Sequence, residues 1–217
     1  MGVYLNSKTA YTLYKNETEK PFFVDKSQML EELFPLVREG NNYICITRPR
    51  RFGKTVTANM IASFFSKACG TDELFIKLKV AQAEDYEKYL NQYRVIHISF
   101  NDTSGHYIST YLRRAALVRN LKREYPSIEI SNDESVIDVL IDIYAEEDTA
   151  KFIFVFDEWD YIFHQDFVTE EDKKAYLLFL RSLLKDRPYV LLAYMTGILP
   201  IAKYSSAIRQ CRRGQIT

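Results

Sequence analysis

Tyr43-Ile44-Cys45-Ile46-Thr47-Arg48-Pro49-Arg50-Arg51-Phe52-Gly53-Lys54-Thr55 joins an apolar run to a short basic turn. Residues 43–47 have the continuous apolar character of a strand covered on both faces. Behind the turn, residues 56–68 place Val56, Met60, Ile61 and Phe64 on one helical face, with Phe65 widening it and Cys69-Gly70 ending it. A strand feeding Gly-Lys-Thr and then a helix predicts a loop that holds the phosphates of a nucleoside triphosphate. The chemistry needs these residue types. Gly53 lets the backbone turn tightly and approach a ligand. Lys54 supplies a cation for the β and γ phosphates, and Thr55 a hydroxyl for a magnesium ion. A helix starting near Thr55 aims its free amides at the anion.

The loop departs from the usual order of Gly, four residues, then Gly-Lys-Ser/Thr. Arg48 stands at the first glycine position, and Pro49 removes one amide donor. Guanidinium forks on Arg48, Arg50 and Arg51 suit phosphate oxygens and offset part of that loss. The expected nucleotide-binding set is therefore Arg48, Pro49, Arg50, Arg51, Phe52, Gly53, Lys54 and Thr55. Gly-Lys-Thr alone is common, and basic clusters also form solvated surface or structural ion pairs.

A second apolar run, Phe152-Ile153-Phe154-Val155-Phe156, ends in Asp157-Glu158. Ligands of open α/β sheets bind outside the carboxyl edge of the strands. Asp157 is expected to hold magnesium through water, as the acidic partner of Thr55. Glu158 is expected to orient or deprotonate an attacking water. Asp160 is a candidate brace, and Trp159 a packing residue. Thr196, before Gly197, follows a strand expected over residues 189–195; its hydroxyl either reaches a γ-phosphate or attacking water, or opens the next turn. His97, His106 and His164 have no metal-ligand spacing, and no Ser/His/Asp or Cys/His arrangement stands out.

The rest of the chain fits one domain. Residues 1–20 are polar and read as an arm or weakly ordered lead-in. Residues 22–24 are a short strand candidate, Asp25 or Ser27 a cap for a helix over 28–34, and residues 40–42 a turn. A polar helical stretch around 86–93 precedes a strand over 95–100. Helices are expected over 107–125, ended by Pro126, over 133–144, and over 170–184. Alternating strands and helices, with strands apolar on both faces, predict an α/β fold with a mostly parallel sheet.

The chain has 217 residues, 29 basic and 29 acidic, giving a formal net charge of +0. That balance argues against non-specific attraction to nucleic acid or anionic lipid. Aromatics reach 14%, and they either fill the core or leave a docking surface. Three scattered cysteines, Cys45, Cys69 and Cys211, suggest neither a disulfide scaffold nor a metal pair. With no signal-peptide pattern, no myristoylation pattern and no apolar run long enough to span a bilayer, a cytoplasmic protein with no membrane partner is expected.

These residues resemble the AAA-ATPase-like domain of many bacterial and some archaeal and eukaryotic proteins. Its modified phosphate loop is matched by Arg48-Pro49-Arg50-Arg51-Phe52-Gly53-Lys54-Thr55, its early Val-Asp-Lys-Ser/Thr segment by Val24-Asp25-Lys26-Ser27, its Asp-Glu-Tyr-Asp strand end by Asp157-Glu158-Trp159-Asp160, and its Thr-Gly-Ile/Val-Leu segment by Thr196-Gly197-Ile198-Leu199. The matches span residues 20–204. The resemblance implies a P-loop NTPase three-layer sandwich, with ATP and Mg²⁺ as ligands. It implies that Lys54 is the loop lysine, Thr55 the magnesium-side hydroxyl, Asp157 and Glu158 the acidic pair, and Thr196 the sensor position.

The expected organisation is an arm over 1–20, the ATPase-like domain over 21–204 and an atypical basic tail over 205–217. Similar proteins typically continue into a domain similar to PD-(D/E)XK nucleases, so a truncated or frameshifted end is expected here. A sheet lacking its last strand beside the phosphate-loop strand would expose an edge and favour self-association or an unidentified protein partner. The leading expectation is ATP binding with Mg²⁺-dependent hydrolysis by Lys54, Glu158 and Thr196. The alternatives are a non-hydrolysing nucleotide-dependent switch, or a nuclease-associated role with DNA contacts from the arginine cluster and tail.

Overall fold

The computed structural model describes residues 4–70, 73–100, 108–131 and 134–199; side chains are described for these except residues 108–115. His106, Cys211 and the tail over 205–217 lie outside the described residues. Four strands, β1 (Asn42–Thr47), β2 (Arg94–Ser99), β3 (Phe152–Asp157) and β4 (Val190–Gly197), form one sheet in the order β1-β4-β3-β2. Every neighbouring pair is parallel. The chain is thus an α/β protein of the P-loop NTPase type, a three-layer sandwich around a parallel sheet.

Alternation along each strand divides the core in two. Ile44, Val95, Ile153, Val155, Leu192 and Tyr194 face one layer, formed by α1 (Thr9–Thr18), α2 (Phe34–Glu39), α3 (Lys54–Phe65) and α4 (Tyr86–Tyr89). Tyr43, Ile96, Phe152, Phe154, Phe156, Ala193 and Met195 face the other, formed by α5 (Ile108–Glu124), α6 (Val136–Glu146) and α7 (Glu170–Leu184). All six residues of β3 are buried, as its unbroken apolar run requires.

Aromatic rings fill much of both layers. Phe34 stacks on Tyr89 with ring centroids 4.3 Å apart, and Phe64 meets Phe65 edge-on at 5.1 Å. Tyr14, Tyr125, Tyr176, Tyr189 and Tyr194 are buried as well. Among the described residues the core reading of the aromatics therefore accounts for most of the tyrosines.

Local signals set the helix ends. Thr169 and Asp172 form a reciprocal capping box at the start of α7. Ser135 caps α6 by accepting from the Asp138 amide. Gly40, at φ 74°, ends α2 where a side chain would be strained.

The structure differs from the sequence reading at several places, and the helical stretch expected around 86–93 is confined to Tyr86–Tyr89. Residues 9–18 form a helix that buries Ala10 and Tyr14 against α3. Ahead of it, Leu5 bridges antiparallel to Ile96, covering the outer edge of β2. Residues 22–24 form no strand; the Phe23 amide closes a local turn by donating to Lys20 O at 3.1 Å. The helix expected over 28–34 is a 3-10 turn, Ser27–Leu33, running directly into α2. Among the described residues β1 bonds to β4 alone and forms the other edge of the sheet.

Candidate functional site

The parallel sheet brings the Gly-Lys-Thr loop and the acidic strand end to one edge. β4 lies between β1 and β3, with Thr47 opposite Gly197 and Phe156 opposite Met195. The loop at residues 48–53 therefore leaves β1 one residue beyond the level at which Asp157 ends β3. The Arg48 amide continues the ladder by donating to Gly197 O at 3.1 Å. Alternation turns Thr196 and Asp157 toward the α3 layer, as it does Tyr194 and Val155.

Gly53 is left-handed, φ 75° and ψ 16°, and a Cβ there would meet nothing within 4 Å. The glycine is needed for its backbone conformation rather than for close packing. Arg51 is also left-handed, at φ 68°. The first helical bond at this end runs from Thr57 N to Gly53 O, so the amides of Lys54, Thr55 and Val56 are the unpaired donors of the first turn. Arg48, Pro49, Arg50, Arg51, Phe52, Gly53 and Thr55 are exposed, with Phe52 at 61%.

Lys54 is buried. Its ammonium donates to Arg48 O at 3.0 Å and Pro49 O at 2.9 Å, drawing the start of the loop over the start of the helix. Pro49 thus contributes a carbonyl to the loop even though it has no amide to give. No hydrogen bond or ion pair among the described residues links Lys54 or Thr55 to Asp157 or Glu158.

The acidic end is tightly knit. Asp157 and Thr196 are fully buried. The Thr196 hydroxyl donates to Asp157 Oδ1, while Asp157 Oδ2 has no hydrogen-bond partner among the described residues. The Glu158 amide donates to Thr196 Oγ1 at 3.3 Å, and the Trp159 amide to Thr196 O at 3.0 Å. Glu158 is left-handed, at φ 53°, a conformation that costs about 1–3 kcal/mol for a residue with a Cβ. Its half-buried side chain thereby leaves the strand's alternation. Burial, then the nearby Asp157 carboxylate, hold the Tyr194 hydroxyl well above the usual tyrosine range.

Two details of this edge are visible only in the fold, one of them the partners of the candidate brace Asp160. Asp160, almost fully buried, accepts from the Ile198 amide at 2.7 Å and the Leu199 amide at 2.6 Å through Oδ2. Thr196 and Gly197 lie inside β4, so the Thr196 hydroxyl does not open a turn. Trp159 is fully buried, as its packing reading expects. The early Val24-Asp25-Lys26-Ser27 segment ties two stretches of chain together. Asp25 accepts from the Ser27 and Lys79 amides at 2.8 and 2.7 Å, and Ser27 Oγ from the Val80 amide at 3.1 Å. It caps the start of the 3-10 turn only through the Ser27 amide.

Among the described residues no helix is long and apolar enough to cross a membrane. No curated protein and no solved structure matches the chain. A family described as Predicted AAA-ATPase matches residues 13–206. With the parallel sheet, the Gly-Lys-Thr loop and the buried Asp157–Thr196 pair at one edge, the match settles the family: the chain belongs to the AAA-ATPase-like family of predicted AAA-ATPases.

Proposed function

We propose that this chain binds ATP with Mg²⁺ at the loop between β1 and α3 and hydrolyses it to ADP and phosphate. The observation that carries the reading is Asp157, a carboxylate buried at the strand end with one oxygen bonded to Thr196 and the other without a hydrogen-bond partner among the described residues. A buried polar atom left unmatched in this way is costly unless a ligand completes it. Family membership supports a nucleotide-dependent activity.

In this reading the first-turn amides of α3 and the Lys54 ammonium bind phosphate oxygens. Lys54 exchanges two carbonyl acceptors for anionic ones, which make stronger charge-assisted bonds. Arg50 and Arg51, exposed on the loop, add charge at its rim. Thr55 and Asp157 Oδ2 would hold the magnesium ion, which supplies charge neutralisation across the β and γ phosphates when bound. Glu158 orients a water for attack on the γ-phosphorus and takes its proton. The bond from phosphorus to the β–γ bridging oxygen breaks, leaving ADP and inorganic phosphate. Thr196 holds the acidic end in place through Asp157 and the Glu158 amide.

Calorimetric titration with ATP and Mg²⁺, together with a phosphate-release assay, tests the proposal. Lys54→Ala is expected to weaken binding at least tenfold, about 1.4 kcal/mol. Glu158→Gln is expected to bind ATP but slow phosphate release by about 100-fold or more. Equal ATP affinity in Lys54→Ala and the parent would sink the binding assignment. Binding without Glu158-dependent release would leave a nucleotide-dependent switch in place of an enzyme.

A further inference from the structure

We infer that Asp160 is a positioning residue for the acidic end of the site, fixing Glu158 and Thr196 relative to each other by clamping the turn after β3 to the chain leaving β4. The inference rests on the hydrolysis reading for its kinetic consequence and on geometry alone for its structural one. Asp160 sits three residues beyond Asp157 and is 2% exposed. A single oxygen, Oδ2, accepts from two successive amides, Ile198 at 2.7 Å and Leu199 at 2.6 Å. Both bonds carry the carboxylate's charge, which makes them stronger than neutral ones. His164 Nε2 stands 3.7 Å from the same oxygen, too far for a hydrogen bond.

The clamp acts on residues it does not touch. Glu158 holds a left-handed backbone, and such a conformation persists only where its surroundings over-determine it. The Glu158 and Trp159 amides are both bound to Thr196. Beyond them the Tyr176 hydroxyl donates to Trp159 O at 2.6 Å. Asp160 closes the circuit from the other side, since residues 198 and 199 follow directly on Thr196 and Gly197. The turn packs so closely on Gly197 that a Cβ there would lie 2.6 Å from Trp159 Nε1 and 2.8 Å from Asp160 Oδ1. Removing the carboxylate frees one side of the turn, and Asp160 itself forms no hydrogen bond or ion pair with the loop at residues 48–55 among the described residues. Asp160 therefore governs how Glu158 is presented, not whether a nucleotide binds.

Two variants of the full chain test this, Asp160→Ala and Asp160→Asn, the second keeping an acceptor oxygen in place. In Asp160→Ala, ATP affinity and KM are expected within about threefold of the parent, with kcat for phosphate release lowered about tenfold or more. Asp160→Asn is expected to recover most of that loss. Hydrogen exchange needs no turnover: the Glu158 and Trp159 amides, which Asp160 does not contact, are expected to exchange about tenfold faster or more in Asp160→Ala. Parent-like exchange at Glu158 and Trp159, or a parent-like kcat, would overturn the positioning role. If the parent releases no phosphate, the hydrolysis reading fails and exchange alone decides the role of Asp160. If Asp160→Ala does not fold, Asp160→Ser, whose hydroxyl is one bond shorter than the carboxylate oxygen, decides through the same two amides: faster exchange supports the clamp, and parent-like exchange overturns it.

Discussion

The Thr196 hydroxyl on β4 and the Asp157 carboxylate on β3 form one buried hydrogen-bonded pair across two adjacent parallel strands. The same hydroxyl oxygen accepts from the Glu158 amide. One small side chain thus satisfies a carboxylate oxygen and a backbone donor at once, at the point where the strand ends.

Thr196→Val keeps the shape of the side chain and removes both interactions. Asp157 then has no donor on either oxygen among the described residues, and the Glu158 amide loses its acceptor. The unfolding free energy is expected to fall by roughly 2–4 kcal/mol, the range for stranding a buried charged acceptor and an amide together. Thr196→Ser is expected to stay within about 1 kcal/mol of the parent. Urea denaturation reads both, and coincident midpoints for Thr196→Val and the parent would show that the pair contributes nothing.

Gly197→Ala tests how tightly the turn after β3 rests on β4. The glycine does not have a positive φ, so an alanine is acceptable to the backbone and the effect comes from contact alone. Its Cβ would sit 2.6 Å from Trp159 Nε1 and 2.8 Å from Asp160 Oδ1, and both side chains are buried with little room to retreat. A loss of about 1–3 kcal/mol is expected, the usual cost of overpacking. Tryptophan fluorescence reports on the site directly, since Trp159 is the only tryptophan in the chain. An unshifted emission spectrum with unchanged stability would contradict the close packing.

The sequence makes the middle of this fold legible because its signals are local. Five apolar residues before Asp157 mark β3, and Thr169 with Asp172 marks the start of α7. The Gly-Lys-Thr turn is equally local, since Gly53 needs its left-handed backbone whatever surrounds it. The helix over Thr9–Thr18 is not legible in this way. Only Ala10 and Tyr14, one turn apart, are buried along it, too few apolar positions to show a helical period. The Asp157–Thr196 bond spans 39 residues, and nothing near either residue announces it. Asp160 is legible as a candidate brace, but its partners, the Ile198 and Leu199 amides, depend on β4 lying beside β3. Lys54 stands at the start of α3, and its two carbonyl partners depend on a backbone path that the substituted glycine position conceals.

Asp25 gives a prediction that separates architecture from chemistry. Its two oxygens bind the Ser27 and Lys79 amides, and none of these partners belongs to the loop at residues 48–55. Asp25→Ala is expected to lower stability by about 1–2 kcal/mol through the lost bonds and to leave ATP affinity unchanged. Thermal melts and titration with ATP measure the two effects separately. A variant of parent-like stability that loses ATP binding would move this segment from scaffold to site.

The buried tyrosines set how the fold responds to alkali. Burial is the largest cause that lifts the hydroxyls of Tyr14, Tyr125, Tyr189 and Tyr194 well above their ordinary value of 10.0, and it pushes Tyr93 up to about 12. An unfolded chain ionises the same groups near pH 10. Above that pH the native state holds protons that the unfolded state has released, so stability declines as pH rises. The contribution is complete below about pH 10 and is lost progressively as pH climbs toward the folded values. Denaturant melts at increasing pH, followed alongside tyrosinate absorbance, are expected to show stability dropping above about pH 10, with these buried rings ionising only as the protein unfolds. Tyrosines that all ionise near pH 10 in a protein that stays folded would place the rings in water and contradict the packing of both layers.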